Sequence, residues 1–112
     1  MASELTGREL DAAVAREVMG WVADRHRWSN GETWLKCICA WEPSEDLNIA
    51  SEVESEIERR GLSDLYIHYL MPQVGVDGHK PGYDEVDLWK VRRATPEQIC
   101  LAALSAVRGA KS

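Results

Sequence analysis

Apolar residues at Leu10, Ala13, Val14 and Val18 recur every three or four positions, which puts them on one face of a helix. Thr6 followed by Glu9 is a capping box for the start of that helix, with Leu5 and Leu10 as a hydrophobic staple, and Gly20 supplies a left-handed stop. From Trp21 to Trp28 the pattern loosens into alternation and predicts a short strand. Ser29-Asn30-Gly31-Glu32 then carries the Asn-Gly signal of a hairpin. Thr33 to Trp41 alternates cleanly, with Thr33, Leu35, Cys37, Cys39 and Trp41 on one side and Trp34, Lys36, Ile38 and Ala40 on the other, so a second strand is expected across the turn.

Pro43-Ser44-Glu45-Asp46 interrupts that strand and opens a second helix with Ser44 as its expected N-cap. Leu47, Ala50, Val53 and Ile57 form its apolar stripe, Arg59 and Arg60 complement its dipole, and Gly61 ends it. Leu65 to Met71, rich in Tyr66, Ile67 and Tyr69, predicts a third strand. Pro72 to Gly82 is punctuated by Pro72, Gly75, Gly78, Pro81 and Gly82 and predicts a loop. Tyr83 to Arg93 alternates Val86 and Leu88 against Trp89 and Val91 and predicts a fourth strand. A final helix begins at Thr95, with Pro96 in its first position and Gln98 completing a capping box. Cys100, Ala103, Leu104 and Val107 are its core-facing stripe, and Gly109 its expected stop. The order α-β-β-α-β-β-α predicts an α+β fold, a four-stranded antiparallel sheet with packed helices, in one domain over residues 1–112.

Composition narrows this without redirecting it. At 112 residues, 45% apolar and 29% charged, the chain has the balance of a globular domain. No apolar run is long enough to span a bilayer, and Met1-Ala2-Ser3-Glu4 lacks the layout of a signal peptide, so a cytoplasmic location is expected. Thirteen basic and nineteen acidic residues give a net charge of −6, which disfavours direct contact with nucleic acid. Three cysteines, an odd count, suit reduced thiols.

Several blocks resemble the phage ABA sandwich domain family of small phage and prophage proteins. They are Glu9-Leu10-Asp11 through Val18-Met19-Gly20-Trp21, then Pro43-Ser44-Glu45-Asp46 with Ala50 and Val53, and Thr95-Pro96 through Ile99-Cys100-Leu101-Ala102-Ala103-Leu104. The resemblance covers most of the chain in outline. It implies a phage origin and a fold, and it carries over no catalytic residues.

The candidate chemistry is sparse. Cys37-x-Cys39 lacks the second pair that structural zinc needs, so the thiols read as small hydrophobes, and no metal or cofactor is expected. His26, His68 and His79 have no local signature that pairs them with a thiol. Asp77, Asp84, Glu85 and Asp87 do not follow a calcium-loop spacing. Gly75-x-x-Gly78 with Lys80 lacks the strand–loop–helix setting of a phosphate loop. No catalytic residue is therefore assigned and no enzymatic activity is expected.

Two surfaces remain. Glu45, Glu52, Glu54, Glu56 and Glu58 spread negative charge over the second helix, a surface suited to a basic groove on a partner. Tyr83, Trp89, Arg92 and Arg93 form a basic-aromatic patch that suits a nucleotide base and phosphate. The leading expectation is a non-enzymatic inhibitor of a bacterial antiviral defence system, anti-CRISPR in type. It would bind a host protein or ribonucleoprotein complex through the acidic surface, in the bacterial cytoplasm, with no direct contact to nucleic acid or membrane. The alternative is sequestration of a nucleotide second messenger by the basic-aromatic patch, with a homodimer as the assembly that would complete it.

Overall fold

In the computed structural model, which describes residues 7–24, 27–30, 34–37, 40–76 and 84–111, the chain opens with α1 (Gly7–Ala13). The helix widens into a π-helical turn over Val14–Val18, where Met19 N–H reaches back five residues to Val14 O at 3.1 Å. Leu10, Ala13, Val14 and Val18 are buried, as their spacing requires. Gly20 adopts φ +74° just past the turn, the stop expected of it. Thr6, and with it the expected capping box, lies outside the described residues.

A small antiparallel sheet follows, in the order β1 (Val22–Asp24), β2 (Arg27–Ser29), β3 (Trp34–Cys37). The stretch expected as one strand from Trp21 to Trp28 is divided between β1 and β2. β2 and β3 pair antiparallel on either side of the expected Asn-Gly turn, with Trp28 opposite Lys36 and Ser29 opposite Trp34, while residues 31–33 of that turn lie outside the described residues. Leu35 has no opposite number in that register, which is the signature of a bulge.

The expected third and fourth strands are helices, and this overturns the four-stranded sheet and the order α-β-β-α-β-β-α. After α2 (Leu47–Arg59) come α3 (Ser63–Gln73), α4 (Glu85–Arg92) and α5 (Pro96–Lys111). The described residues thus form a mainly helical domain with one short three-stranded sheet. In α3, Tyr66 and Leu70 are buried, with Leu62 and Tyr69 half-buried beside them. Those four positions follow helical spacing, and packing along that stripe overrides the strand preference of Tyr and Ile. In α4, Asp84 caps the helix by accepting from Asp87 N–H at 3.0 Å, while the Asp87 carboxylate accepts from Asp84 N–H at 3.2 Å. The pair Asp84-x-x-Asp87 is a capping box with Asp in the place usually held by Glu, which outweighs the alternation of Val86 and Leu88.

Caps explain the remaining boundaries. Asp46, not Ser44, caps α2, its carboxylate accepting from Asn48 N–H at 2.9 Å. At the other end Gly61 takes φ +73°, its N–H bonds Glu58 O, and Leu62 N–H bonds Ile57 O, the paired reverse bonds of a Schellman stop. The Thr95–Gln98 box forms as expected, with both backbone N–H groups satisfied by the partner's side chain.

The helix α5 is the hub, packed against α1, the π-turn, α2 and α3. Ile99, Cys100, Ala102, Ala103, Leu104, Ala106 and Val107 are all buried on it. Its small residues let four neighbours approach one helix. Gly109 does not stop α5 but lies within it, and its lack of a side chain leaves room for Tyr69, whose hydroxyl oxygen would lie 2.8 Å from a Cβ there. Among the described residues no helix is long and apolar enough to cross a membrane.

Candidate functional site

The five glutamates singled out in the sequence do not form one uniform surface. Glu45 lies in the turn before α2 and is exposed, as are Glu52 and Glu58 on the helix itself. Glu54 accepts a hydrogen bond from the Tyr66 hydroxyl of α3, so its charge is held inside the helix pair. Burial, and then that bond, raise the Tyr66 phenol well above its usual range. Glu56 is gripped by two arginines, accepting from Arg59 Nε at 2.9 Å and from Arg60 Nε at 2.9 Å. The Arg59 bond is the larger cause that holds its carboxyl below the usual range. Glu52 and Glu56 share one flank of α2, and Glu54 and Glu58 the other, because residues four apart stack on one side of a helix. Between these flanks, opposite the buried Ala50, Val53 and Ile57, Ser51 and Ser55 donate back to the carbonyls of Leu47 and Ser51. Of the five, Glu45, Glu52 and Glu58 are the exposed ones, and Glu54 and Glu56 are half-buried.

The basic-aromatic patch is altered more. Tyr83 lies outside the described residues. Trp89, Arg92 and Arg93 stand at the C-terminal end of α4, all exposed, with the Arg93 guanidinium 5.3 Å from the Trp89 ring centroid. That stacking is a cation–π contact within the protein itself. Val86 and Leu88, which alternation would divide from Trp89, are exposed on α4 along with it.

A buried polar junction at Asp11 escaped the sequence reading. The Asp11 carbonyl accepts from Trp41 Nε1 at 2.9 Å, and its carboxylate accepts from Ser44 N–H at 2.8 Å. These two bonds fasten the segment ahead of α2 onto α1. Trp41 also meets Trp21 edge to face, with ring centroids 4.6 Å apart. Asp11 sits at helical spacing beside Leu10 and Val14, a polar residue on a buried stripe, and that was the available signal. Burial raises its carboxyl above the ordinary 3.8, opposed by the bond from Ser44 and reinforced by Glu45 and Glu42.

A carboxyl with a raised folded-state pKa stabilises the fold most when protonated, and that contribution is lost as pH rises from about 3.8 through the folded value. Asp11→Asn keeps the acceptor for Ser44 and removes the charge, so its stability relative to the parent should grow as pH rises through that window. Asp11→Ala should instead cost about 1–3 kcal/mol, because a buried N–H loses its partner. Urea unfolding at a series of pH values checks both. An Asn variant that tracks the parent at every pH would discount the buried charge.

Cys100 is fully buried in α5, and burial, then the charges of Asp11 and Glu97, push its thiol up to about 12. A thiol in that state is a packing group, not a nucleophile, in keeping with the reading of the closing stripe. Cys39, His26, His79, Asp77, Gly78 and Lys80 lie outside the described residues, and of Cys37 only the backbone is described. His68 is exposed on α3 and sits edge to face with Tyr69. Among the described residues no three His, Cys, Asp or Glu side chains are grouped to hold a metal ion.

A comparison with known families matches residues 12–104 to the phage ABA sandwich domain. No curated protein and no solved structure matches the chain.

Proposed function

Because the chain belongs to the phage ABA sandwich domain family, we propose that it is a phage-derived, non-enzymatic protein that acts by binding. Its target in this reading is a bacterial antiviral complex, which it blocks in the manner of an anti-CRISPR inhibitor by presenting carboxylates to a basic groove. The observation that carries the reading is the exposure of Glu45, Glu52 and Glu58 around a helix whose frame is held rigid by internal bonds. A net charge of −6 adds a long-range field of the same sign. Exposed carboxylates on and just ahead of a capped helix steer a basic partner at the cost of ordering the glutamates themselves. The stacked Trp89 and Arg93 already satisfy one another, which favours the acidic surface over a nucleotide bound at α4.

The test is binding to a purified nuclease complex over a range of salt. From about 0.1 M to about 1 M the screening length shrinks from about 10 Å to about 3 Å, so affinity should fall steeply. The triple variant Glu45→Gln, Glu52→Gln, Glu58→Gln should slow association by about tenfold and flatten that salt dependence. Affinity that ignores ionic strength, or a triple variant that binds as the parent does, refutes the acidic-surface reading.

A further inference from the structure

We propose that the exposed face of α4 is a self-complementary surface that pairs antiparallel with α4 of a second copy of this chain. Val86, Leu88 and Trp89 are 60%, 59% and 55% exposed, and they gather on one short helix, whereas Val22 and Leu47, the other exposed large apolar residues described, stand on separate elements. The inner side of α4 is fixed by buried Asp87 and half-buried Val91. At about 3.6 residues per turn, the opposite pole of the helix is centred on Trp89, with Val86 and Leu88 to either side. Glu85 and Arg92 bracket the same face, seven residues apart, one at each end.

This arrangement selects the occupant. Charge changes sign along α4, with Asp84 and Glu85 at its start and Lys90, Arg92 and Arg93 at its end. A two-fold axis between Leu88 and Trp89 lays Glu85 against Arg92 of the second copy, and Arg92 against Glu85 of the second copy. The same axis stacks the two apolar centres and opposes the two helix dipoles. A face that complements itself under a two-fold rotation is what an isologous dimer requires. Arg93, stacked on Trp89 at 5.3 Å, restrains the indole before pairing and reduces the ordering cost. The helix is only about 12 Å long, so the contact is smaller than a standard interface and the dimer is weak, with a Kd on the order of 100 µM. This inference is independent of the acidic surface of α2.

Sedimentation equilibrium on the whole chain tests it, with circular dichroism as a check that each variant folds. The parent should pass from monomer to dimer as concentration rises towards about 1 mM. Trp89→Ala should weaken the dimer by at least tenfold, since a central aromatic anchor dominates such contacts. Glu85→Arg alone and Arg92→Glu alone should each weaken it about fivefold, by opposing like charges across the axis. The double variant Glu85→Arg, Arg92→Glu restores both pairs and should recover the parent constant. Both single substitutions disturb the helix dipole, and the double variant carries both penalties, so its recovery must come from the intermolecular pairs. A chain that stays monomeric throughout, a dimer indifferent to Trp89→Ala, or a double variant without recovery overturns the proposal. So does a monomer whose Tm rises with a cyclic nucleotide but not when Trp89 is replaced by Ala.

Discussion

Replacing Trp41 by Ala is expected to lower the stability of the fold by about 3–5 kcal/mol, the largest effect of any substitution considered. Trp41 is 2% exposed, and three consequences follow from removing it. The cavity left would be lined by residues of the main core, which relaxes only in part. The edge-to-face contact with Trp21 is lost. The Asp11 carbonyl, buried at the junction, loses the indole N–H that satisfies it. Trp41→Phe separates these contributions. It keeps a ring against Trp21 but cannot donate to Asp11, so a cost of about 1–2 kcal/mol is expected, within the usual range for one buried hydrogen bond plus imperfect packing. Because a domain of this size is stable by only about 5–15 kcal/mol, the Ala variant should show a large drop in urea midpoint by circular dichroism. A loss below about 1 kcal/mol would mean that Trp41 does not tie the segment before α2 to α1.

The second large effect concerns α3 and distinguishes its two readings. In the helix, Leu70 is 1% exposed and shares a stripe with buried Tyr66, whereas Ile67 is only half-buried. Leu70→Ala should therefore cost about 2–5 kcal/mol and Ile67→Ala about 1 kcal/mol. A strand over Leu65 to Met71 would invert that order, because Leu65, Ile67, Tyr69 and Met71 would share its core face while Leu70 pointed away. Equilibrium unfolding of the two variants decides between them, and an Ile67 variant more damaged than the Leu70 variant would argue for the strand.

The difference between these readings shows where local pattern stops being sufficient. Tyr66, Ile67 and Tyr69 have the branched and aromatic side chains that favour strands, but such preferences span only about 1 kcal/mol and depend on what the residue packs against. The stripe Leu62, Tyr66, Tyr69, Leu70 was present in the sequence at helical spacing, and the reverse-bonded stop at Gly75, φ +82°, was its matching end signal. In α4 the alternation of Val86 and Leu88 misled because neither residue is buried, so it carried no information about a core face. The deciding signal there was Asp84-x-x-Asp87, three residues apart. The acidic surface was legible as composition only. Which glutamates stay exposed depended on Tyr66, Arg59 and Arg60 reaching two of them.

By itself the sequence determined the first helix face, the apolar stripe of α2 and its stop at Gly61, and the capped start of α5. Each of these is set by groups within a few residues of one another, where hydrogen bonding and periodicity act before any tertiary contact forms. Tertiary structure alone decided that α5 is the hub, that Asp11 holds Trp41 and Ser44, that Tyr66 of α3 reaches Glu54, and that Val86, Leu88 and Trp89 face outward together. Those outcomes depend on which surfaces meet across long sequence separations, as Arg108 does with Glu17, and no local pattern encodes the partner.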